Sequence, residues 1–237
     1  MIVSAATAQA LHGIERRESE LRAAFTPGAE PVNSENAAGQ SLERDISPLS
    51  VAVQGNAYFI VCEPSGGELF THDGAFHIED GELVNRNGMA VLGLTDGRLV
   101  PLRLNAIDTA LNRVVNLHID NRGALVYEKP AIDPSTRQAA PLSVTVGQLA
   151  LARFSAGTRL DAIDSAHFRA PPAIPPHVGT AADGNFAPLV THAHERSRIG
   201  LLDSIDRLQE SYMAFDAFRA AHSAQGRTEK MAMDLLK

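Results

Sequence analysis

The chain has 237 residues, a net charge of −7 at neutral pH and a single cysteine, Cys62. This length allows one large domain or two modest ones, each with a real hydrophobic core. The acidic balance and the scattered basic residues argue against a nucleic-acid-binding protein. One cysteine excludes an internal disulfide, and no apolar run reaches the roughly 18 residues of a transmembrane helix.

The first predicted element is an amphipathic helix over residues 2–25. Its large apolar positions share one face at heptad-like spacing and are Leu11, Ile14, Leu21 and Phe25. Pro27 and Gly28 are expected to end it. From Thr26 to Ser47 the composition changes to Pro, Gly, Asn, Ser and Glu, which predicts an irregular linker. Residues 1–45 are therefore expected to form an N-terminal helix and a linker.

Short strands joined by tight turns are predicted between Val51 and Gly93. Turn dipeptides recur here and just beyond, as Asp73-Gly74, Asp80-Gly81, Asn87-Gly88 and Asp96-Gly97. Such dipeptides supply the positive φ angles that two-residue hairpins require. The segments between the turns are rich in aromatic and β-branched residues and too short for helices, which predicts a β-meander. They are residues 57–62, 68–71, 75–78, 83–85 and 89–92.

Further strands are predicted at residues 98–104, 114–119, 124–127 and 144–154. Together with the meander they define a β domain over residues 46–194, in which Phe59, Phe76 and Phe154 are the core candidates. The predicted fold is α+β and mainly β. A central antiparallel domain, a meander or barrel-like sheet, is flanked by N- and C-terminal helices that pair with each other.

The C-terminal helix is predicted to begin near Leu201 and to reach about Gln225-Gly226, where glycine offers a break. Its apolar seam steps by four and three residues and comprises Leu201, Ile205, Leu208, Tyr212 and Phe215, widened by Leu202 and Phe218. Because short helices need tertiary partners, we expect residues 195–237 to join residues 1–25 in a discontinuous helical domain.

His192 and His194 are the nearest approach to a metal site. In a strand they would share a face and could bind one ion. No second Cys/His group of matching spacing accompanies them, so surface histidines at a helix entrance are the ordinary interpretation. His77 lies near His72 and Asp73 in sequence, but Asp73 is needed for its turn.

Sequence motifs of the common enzyme classes are missing. The chain has no nucleophile elbow, phosphate loop or dinucleotide fingerprint. We therefore predict no catalytic residues, no cofactor and no metal. The alternative is a soluble β-domain enzyme or ligand-binding module that uses the region of His192 and His194.

Three stretches in order carry a family resemblance. They are residues 49–61 (LSVAVQGNAYFIV), 70–76 (FTHDGAF) and 81–93 (GELVNRNGMAVLG). They resemble motifs of the bacterial flagellar rod and hook proteins, and residues 147–154 (GQLALARF) resemble a later one. The chain departs from the family after its first helix, where an Asn-rich motif is missing.

The resemblance implies a structural subunit of the flagellar basal-body rod. A rod protein fits better than a hook protein, because no large inserted domain follows the meander. The implied partners are copies of this chain, other rod and hook proteins and the flagellar export apparatus, with neither nucleic acid nor membrane insertion. The implied location is the periplasm-spanning rod, reached without a cleaved signal peptide.

In this interpretation the terminal helices polymerise into a helical tube and the β domain forms an outer layer. The predicted subunit-interface residues are the seams of both helices: Leu11, Ile14, Leu21, Phe25, Leu201, Ile205, Leu208, Tyr212, Phe215 and Phe218.

Overall fold

The computed structural model describes residues 2–29, 41–132, 139–197 and 199–234, and the side chains in these ranges except 2–7, 132, 139, 218, 222 and 225–234. In chain order the elements are α1 Ile2–Ala23, β1 Leu42–Arg44, β2 Val51–Ala52, β3 Ala57–Cys62, β4 Glu68–Thr71, β5 His77–Glu79, β6 Glu82–Val84, β7 Ala90–Thr95, β8 Arg98–Pro101, α2 Ala106–Ala110, β9 Val115–Ile119, β10 Ala124–Ile132, β11 Ala139–Gln148, β12 Leu151–Arg153, β13 Asp161–Ala162, β14 His167–Arg169, β15 His177–Gly179, β16 Val190–Thr191, β17 Ala193–Glu195 and α3 Leu201–Asp234.

The chain divides into two compact units. The β unit is Thr26–Arg198, and the helical unit combines Met1–Phe25 with Ile199–Lys237. The described strands and α2 lie in the β unit, while α1 and α3 form the helical unit. The predicted mainly β fold with antiparallel sheets is confirmed. The barrel-like closure and the domain limits at residues 45 and 195 stay predictions.

The largest sheet follows the order β13-β14-β4-β3-β7-β6-β5. In addition, β12 pairs with β3 and β15, and β8 pairs with β7. Its predicted meander is present because neighbouring strands are joined by tight turns. Asp80 and Gly81 have φ angles of 50° and 79°, and Asp96 and Gly97 have 49° and 74°. Positive φ at both central residues is the geometry of a type I′ hairpin turn.

The Asp73-Gly74 dipeptide behaves differently from this expectation. Neither residue has a positive φ, so this is not a primed hairpin turn. Gly74 is needed for space instead, because a Cβ there would collide with the carbonyl oxygen of Val51. The Asp73 carboxylate accepts a hydrogen bond from the Ala75 amide at 3.0 Å. Composition predicted a bend here but not its geometry.

Both faces of the largest sheet carry apolar side chains. One face contributes Phe59 and Phe76, whose rings pack edge to face with centroids 5.1 Å apart. The other face contributes Phe70, against which the ring of Phe154 packs at 4.9 Å. Phe59 and Phe76 are buried as predicted, whereas Phe154 is only half-buried at the rim of its cluster.

A second, three-stranded sheet has the order β11-β10-β9. The short helix α2 precedes it and was not predicted. Asn105 caps α2 by accepting from the Ile107 and Asp108 amides. Asp108 accepts hydrogen bonds from the Tyr127 hydroxyl at 2.6 Å and the Lys129 ammonium at 2.9 Å. Burial, followed by this carboxylate, raises the pKa of Tyr127 to about 12.

Two expectations about the ends of the chain were wrong. The linker predicted from Thr26 to Ser47 contains β1, which forms because it pairs antiparallel with β17. The helix predicted to break at Gly226 continues to Asp234. A glycine costs about 1 kcal/mol relative to alanine inside a helix, which a long helix tolerates.

Candidate assembly surface

One face of α3 is turned inward. Ser204 is buried, and Leu208, Ser211 and Phe215 are half-buried, at a spacing of four, three and four residues. This repeat places all four on one face of a helix. The two serines satisfy their hydroxyls by donating at 2.9 Å to the carbonyls four residues earlier, Gly200 and Arg207. The inward face therefore carries no orphaned hydroxyl.

A second, exposed apolar stripe lies beside that inward face. We call it the α3 stripe, and it consists of Leu201, Leu202, Ile205, Tyr212 and Met213. Leu202 is 76% exposed and Met213 57% exposed. Single exposed apolar residues need no explanation, but a run of five on one helix is typical of a surface that contacts another molecule.

The first helix shows the same division on a smaller scale. Ile14 is buried and Leu21 half-buried, whereas Leu11 and Phe25 are exposed. The two helices contact each other, and the Tyr212 hydroxyl donates a 2.7 Å hydrogen bond to Glu18. This hydrogen bond raises the pKa of Tyr212.

The predicted interface residues therefore fall into two groups. Ile14, Leu21, Leu208 and Phe215 are buried or half-buried, whereas Leu11, Phe25, Leu201, Ile205 and Tyr212 are exposed. The side chain of Phe218 lies outside the described residues. Met213 was missed, because it falls outside the repeat of four and three that marked the seam. Its only signal is that it is a large apolar residue next to Tyr212.

A further exposed apolar group lies around α2. Ile107 is 66% exposed, and Leu111 and Val115 are also exposed, while Asp108 on the same helix is buried. The helix thus buries its carboxylate and exposes its aliphatic side chains. Tyr127 and Lys129 explain this inversion, because they give the buried carboxylate two hydrogen bonds.

The two histidines that come nearest to a metal site in the sequence do not share a strand face. His192 has a φ angle of 54° between β16 and β17, which interrupts the alternation on which that expectation depended. His194 lies in β17 with its Nδ1 atom 3.4 Å from a carboxylate oxygen of Asp45. Across the described ranges, no three His, Cys, Asp or Glu side chains are arranged to hold a metal ion. The enzyme alternative is not supported.

The sequence neighbours His72, Asp73 and His77 do not form a dyad. His77 is exposed in β5, whereas His72 is buried with its Nδ1 atom 3.1 Å from Glu195 Oε2. Glu195 was missed as a partner, because it lies far along the chain and nothing local marks it. Burial is the main cause that raises the pKa of Asp73 to about 6.

The described helices include none that is long and apolar enough to cross a membrane.

Residues 52–127 match the family described as the flagellar hook protein FlgE/F/G D1 domain. This stretch runs from β2 into β10 and contains the meander and α2. This part of the chain is therefore similar to a domain of flagellar hook proteins.

A curated relative is the flagellar basal-body rod protein FlgG of Caulobacter vibrioides, which is 25% identical over 172 residues. The alignment covers 72% of this chain and 58% of the relative, so the chain spans less than two thirds of that protein. The two matches support the flagellar rod and hook protein family and confirm the resemblance stated above.

Proposed function

We propose that this chain is a structural subunit of the flagellar basal-body rod and that it polymerises through its terminal helices. The α3 stripe is the observation that carries the polymerisation. It is an apolar surface on a long helix that the described chain itself leaves uncovered. The relative named as a basal-body rod protein supports the rod rather than another flagellar structure.

Burial of this stripe would provide a driving force for assembly. Each Leu or Met side chain gains roughly 1.5–3 kcal/mol when it moves from water to a fully buried position. Leu202 and Met213 are more than half exposed, so most of that gain is still available to a contact with another subunit. The inward residues Leu208 and Phe215 have less left to gain.

The α3 stripe would also determine how the subunits are arranged in the assembly. A stripe on one subunit that meets a different surface on the next subunit forms a heterologous contact, which repeats into a helical tube. In this proposal α1 and α3 pair and line the tube, and the β unit forms the outer layer. Leu11, Phe25 and the α3 stripe supply the contacts between subunits.

The proposal also covers the partners and the location. The partners are copies of this chain, other axial proteins of the rod and hook, and the flagellar export apparatus. The family match and the rod-protein relative support a flagellar location.

Charges placed on the α3 stripe test this proposal. In Leu202→Asp/Met213→Asp, two exposed side chains change, so the β unit is expected to fold normally by circular dichroism. Polymerisation should fail, because two carboxylates would be buried without partners. We expect purified parent protein to form tubes that sediment and are visible by negative-stain microscopy, and the variant to remain in the supernatant.

The matched control is Ala214→Asp/Ala217→Asp, which adds the same charge at exposed positions of the same helix outside the stripe. This control should sediment as the parent does. Loss of assembly in both variants would show a charge effect rather than a surface effect. Normal tubes from the Leu202→Asp/Met213→Asp protein would contradict the proposed contact.

A further inference from the structure

The strand β11 forms one edge of the second sheet. It pairs antiparallel with β10 on one side, and none of the other described strands pairs with its second side. A bridge between Gly93 and Leu149 closes the edge at its end, so the open part is residues 140–146. An open edge offers backbone N–H and C=O groups to another strand, and charged side chains commonly protect it. The sequence of β11, AAPLSVTVGQ, contains no charged residue.

Two prolines show which backbone groups of β11 point away from β10. Pro141 lies opposite Pro130 of β10. Because neither residue has an N–H, this is a non-hydrogen-bonded pair, whose backbone groups point away from the partner strand. The two kinds of pair alternate along antiparallel strands, and the register is regular as far as Thr145. The backbone groups of Ser143 and Thr145 therefore point outward as well.

The side chains leave this edge accessible. Ser143 and Thr145 are exposed on one face of the strand. On the other face, Val144 and Val146 are half-buried and pack against the core of the β unit. Leu142 lies on that same face and is still 49% exposed. An added strand would cover Leu142 and continue the sheet.

A second copy of β11 fits the outward groups when it runs antiparallel about a two-fold axis at Ser143. In this register the two Ser143 residues lie opposite each other, and their N–H and C=O groups would exchange two hydrogen bonds. Thr145 lies opposite Pro141, so its N–H would donate to the Pro141 carbonyl on each side of the axis. The missing N–H of Pro141 would leave only the Thr145 carbonyl unpaired, at a position open to water.

The side chains are compatible with the same register. Leu142 would lie opposite Val144 of the second copy in a non-hydrogen-bonded pair, in which side chains approach most closely. Because β11 has no charged residue, no like charges would oppose each other across the contact. The two three-stranded sheets would join into one continuous antiparallel sheet.

We propose that β11 is a self-association edge, through which two copies of this chain pair antiparallel about Ser143 and form a weak dimer. The contact lies within the β unit and does not depend on the proposed function. Subunits that assemble head to tail are not related by a two-fold axis. The dimer would therefore be formed by unassembled subunits.

Sedimentation equilibrium of the full-length Leu202→Asp/Met213→Asp protein tests this edge without contacts through the α3 stripe. We expect a reversible dimer with a dissociation constant of about 1 mM or lower. Adding Ser143→Pro removes an N–H that donates twice in each dimer, so the dissociation constant should rise at least tenfold. A protein that remains monomeric at about 1 mM, or a dimer that Ser143→Pro leaves unchanged, would overturn the proposal.

A second substitution keeps this test decisive if Ser143→Pro does not fold by circular dichroism. Ser143→Lys changes an exposed side chain and would place two ammonium groups directly opposite each other in the dimer, which is destabilising. The dissociation constant should again rise at least tenfold. A dimer of unchanged stability in Ser143→Lys would overturn the proposal.

Disulfide cross-linking tests the register. In Ser143→Cys the two new thiols would lie opposite each other with Cα atoms about 5.5 Å apart, which a disulfide can bridge. The matched control is Thr145→Cys, which is exposed on the same face but would lie opposite Pro141. Ser143→Cys should form cross-linked dimers at least tenfold faster than Thr145→Cys, with the parent giving the baseline from Cys62. Equal rates in the two variants would overturn the pairing about Ser143.

Discussion

Asp73 illustrates how a single buried side chain sets a pH dependence. Burial raises its pKa from 3.8 to about 6, while the hydrogen bond from the Ala75 amide opposes this shift. The folded chain therefore takes up this proton at a higher pH than the unfolded chain does. The contribution of Asp73 is most unfavourable above pH 6 and improves as the pH falls towards 3.8.

The substitution Asp73→Asn is expected to stabilise the protein at neutral pH. Asparagine can still accept the hydrogen bond from Ala75, but it carries no charge. We expect a gain of up to roughly 3 kcal/mol at pH 7.5, at about 1.4 kcal/mol per pKa unit, and almost none at pH 4. Urea unfolding at both pH values measures this difference. A variant less stable than the parent at pH 7.5 would show that the charge is needed.

The phenylalanines of the two sheet faces are expected to differ in their effect on stability. Phe59 is fully buried against Phe76, so Phe59→Ala should cost on the order of 3–5 kcal/mol. Phe154 lies half-buried at the rim of the other cluster, so Phe154→Ala should cost clearly less. Denaturant midpoints of both variants test this order, and equal losses would contradict the assigned burial.

At the scale of single elements, the local sequence pattern predicted the strands of the meander well. It predicted poorly the elements that depend on residues distant in the chain. The bounds of β3 and β4 agree with the prediction, because their aromatic and β-branched residues lie between marked turns. The strand β1 was missed because it depends on β17, far along the chain. The helix α2 was missed for a similar reason. Its Asp108 accepts hydrogen bonds from Tyr127 and Lys129, and the sequence around α2 does not indicate these partners.

The candidate surface was predictable to a similar extent. Helical periodicity found Leu208 and Phe215 on one face of α3, but it could not separate that inward face from the neighbouring stripe. This separation depends on what covers each side chain, which no repeat in the sequence encodes. The same limit applies to Met213 on α3 and to Glu195 beside His72.

The two faces of α3 should respond differently to charge. Leu208→Asp/Phe215→Asp places carboxylates on the inward face, so we expect the helical unit to lose ordered helix while the β unit remains folded. Circular dichroism of the full chain should show reduced helical signal, unlike Leu202→Asp/Met213→Asp. A helical signal equal to that of the parent would show that packing of the inward face does not stabilise the helical unit.

At the scale of the whole molecule, the β unit is expected to fold alone. A fragment of residues 26–198 contains both strands of the β1–β17 pair, whereas the shorter fragment 46–194 lacks β1 and Asp45. We predict cooperative thermal unfolding for both, with a lower midpoint for the shorter fragment. Calorimetry measures this order. A non-cooperative transition in the fragment 26–198 would mean that the β unit needs the helices to fold.

The proposed role of this chain is that of a structural component of the flagellar rod. It is tested most directly by immunogold electron microscopy of isolated hook–basal bodies from cells that carry an epitope-tagged copy and remain motile. We predict gold particles on the rod, between the membrane-associated rings, and loss of this labelling when the tagged copy carries Leu202→Asp/Met213→Asp. Hook–basal bodies that never bind the antibody, although the tagged protein is present in those cells, would contradict the account.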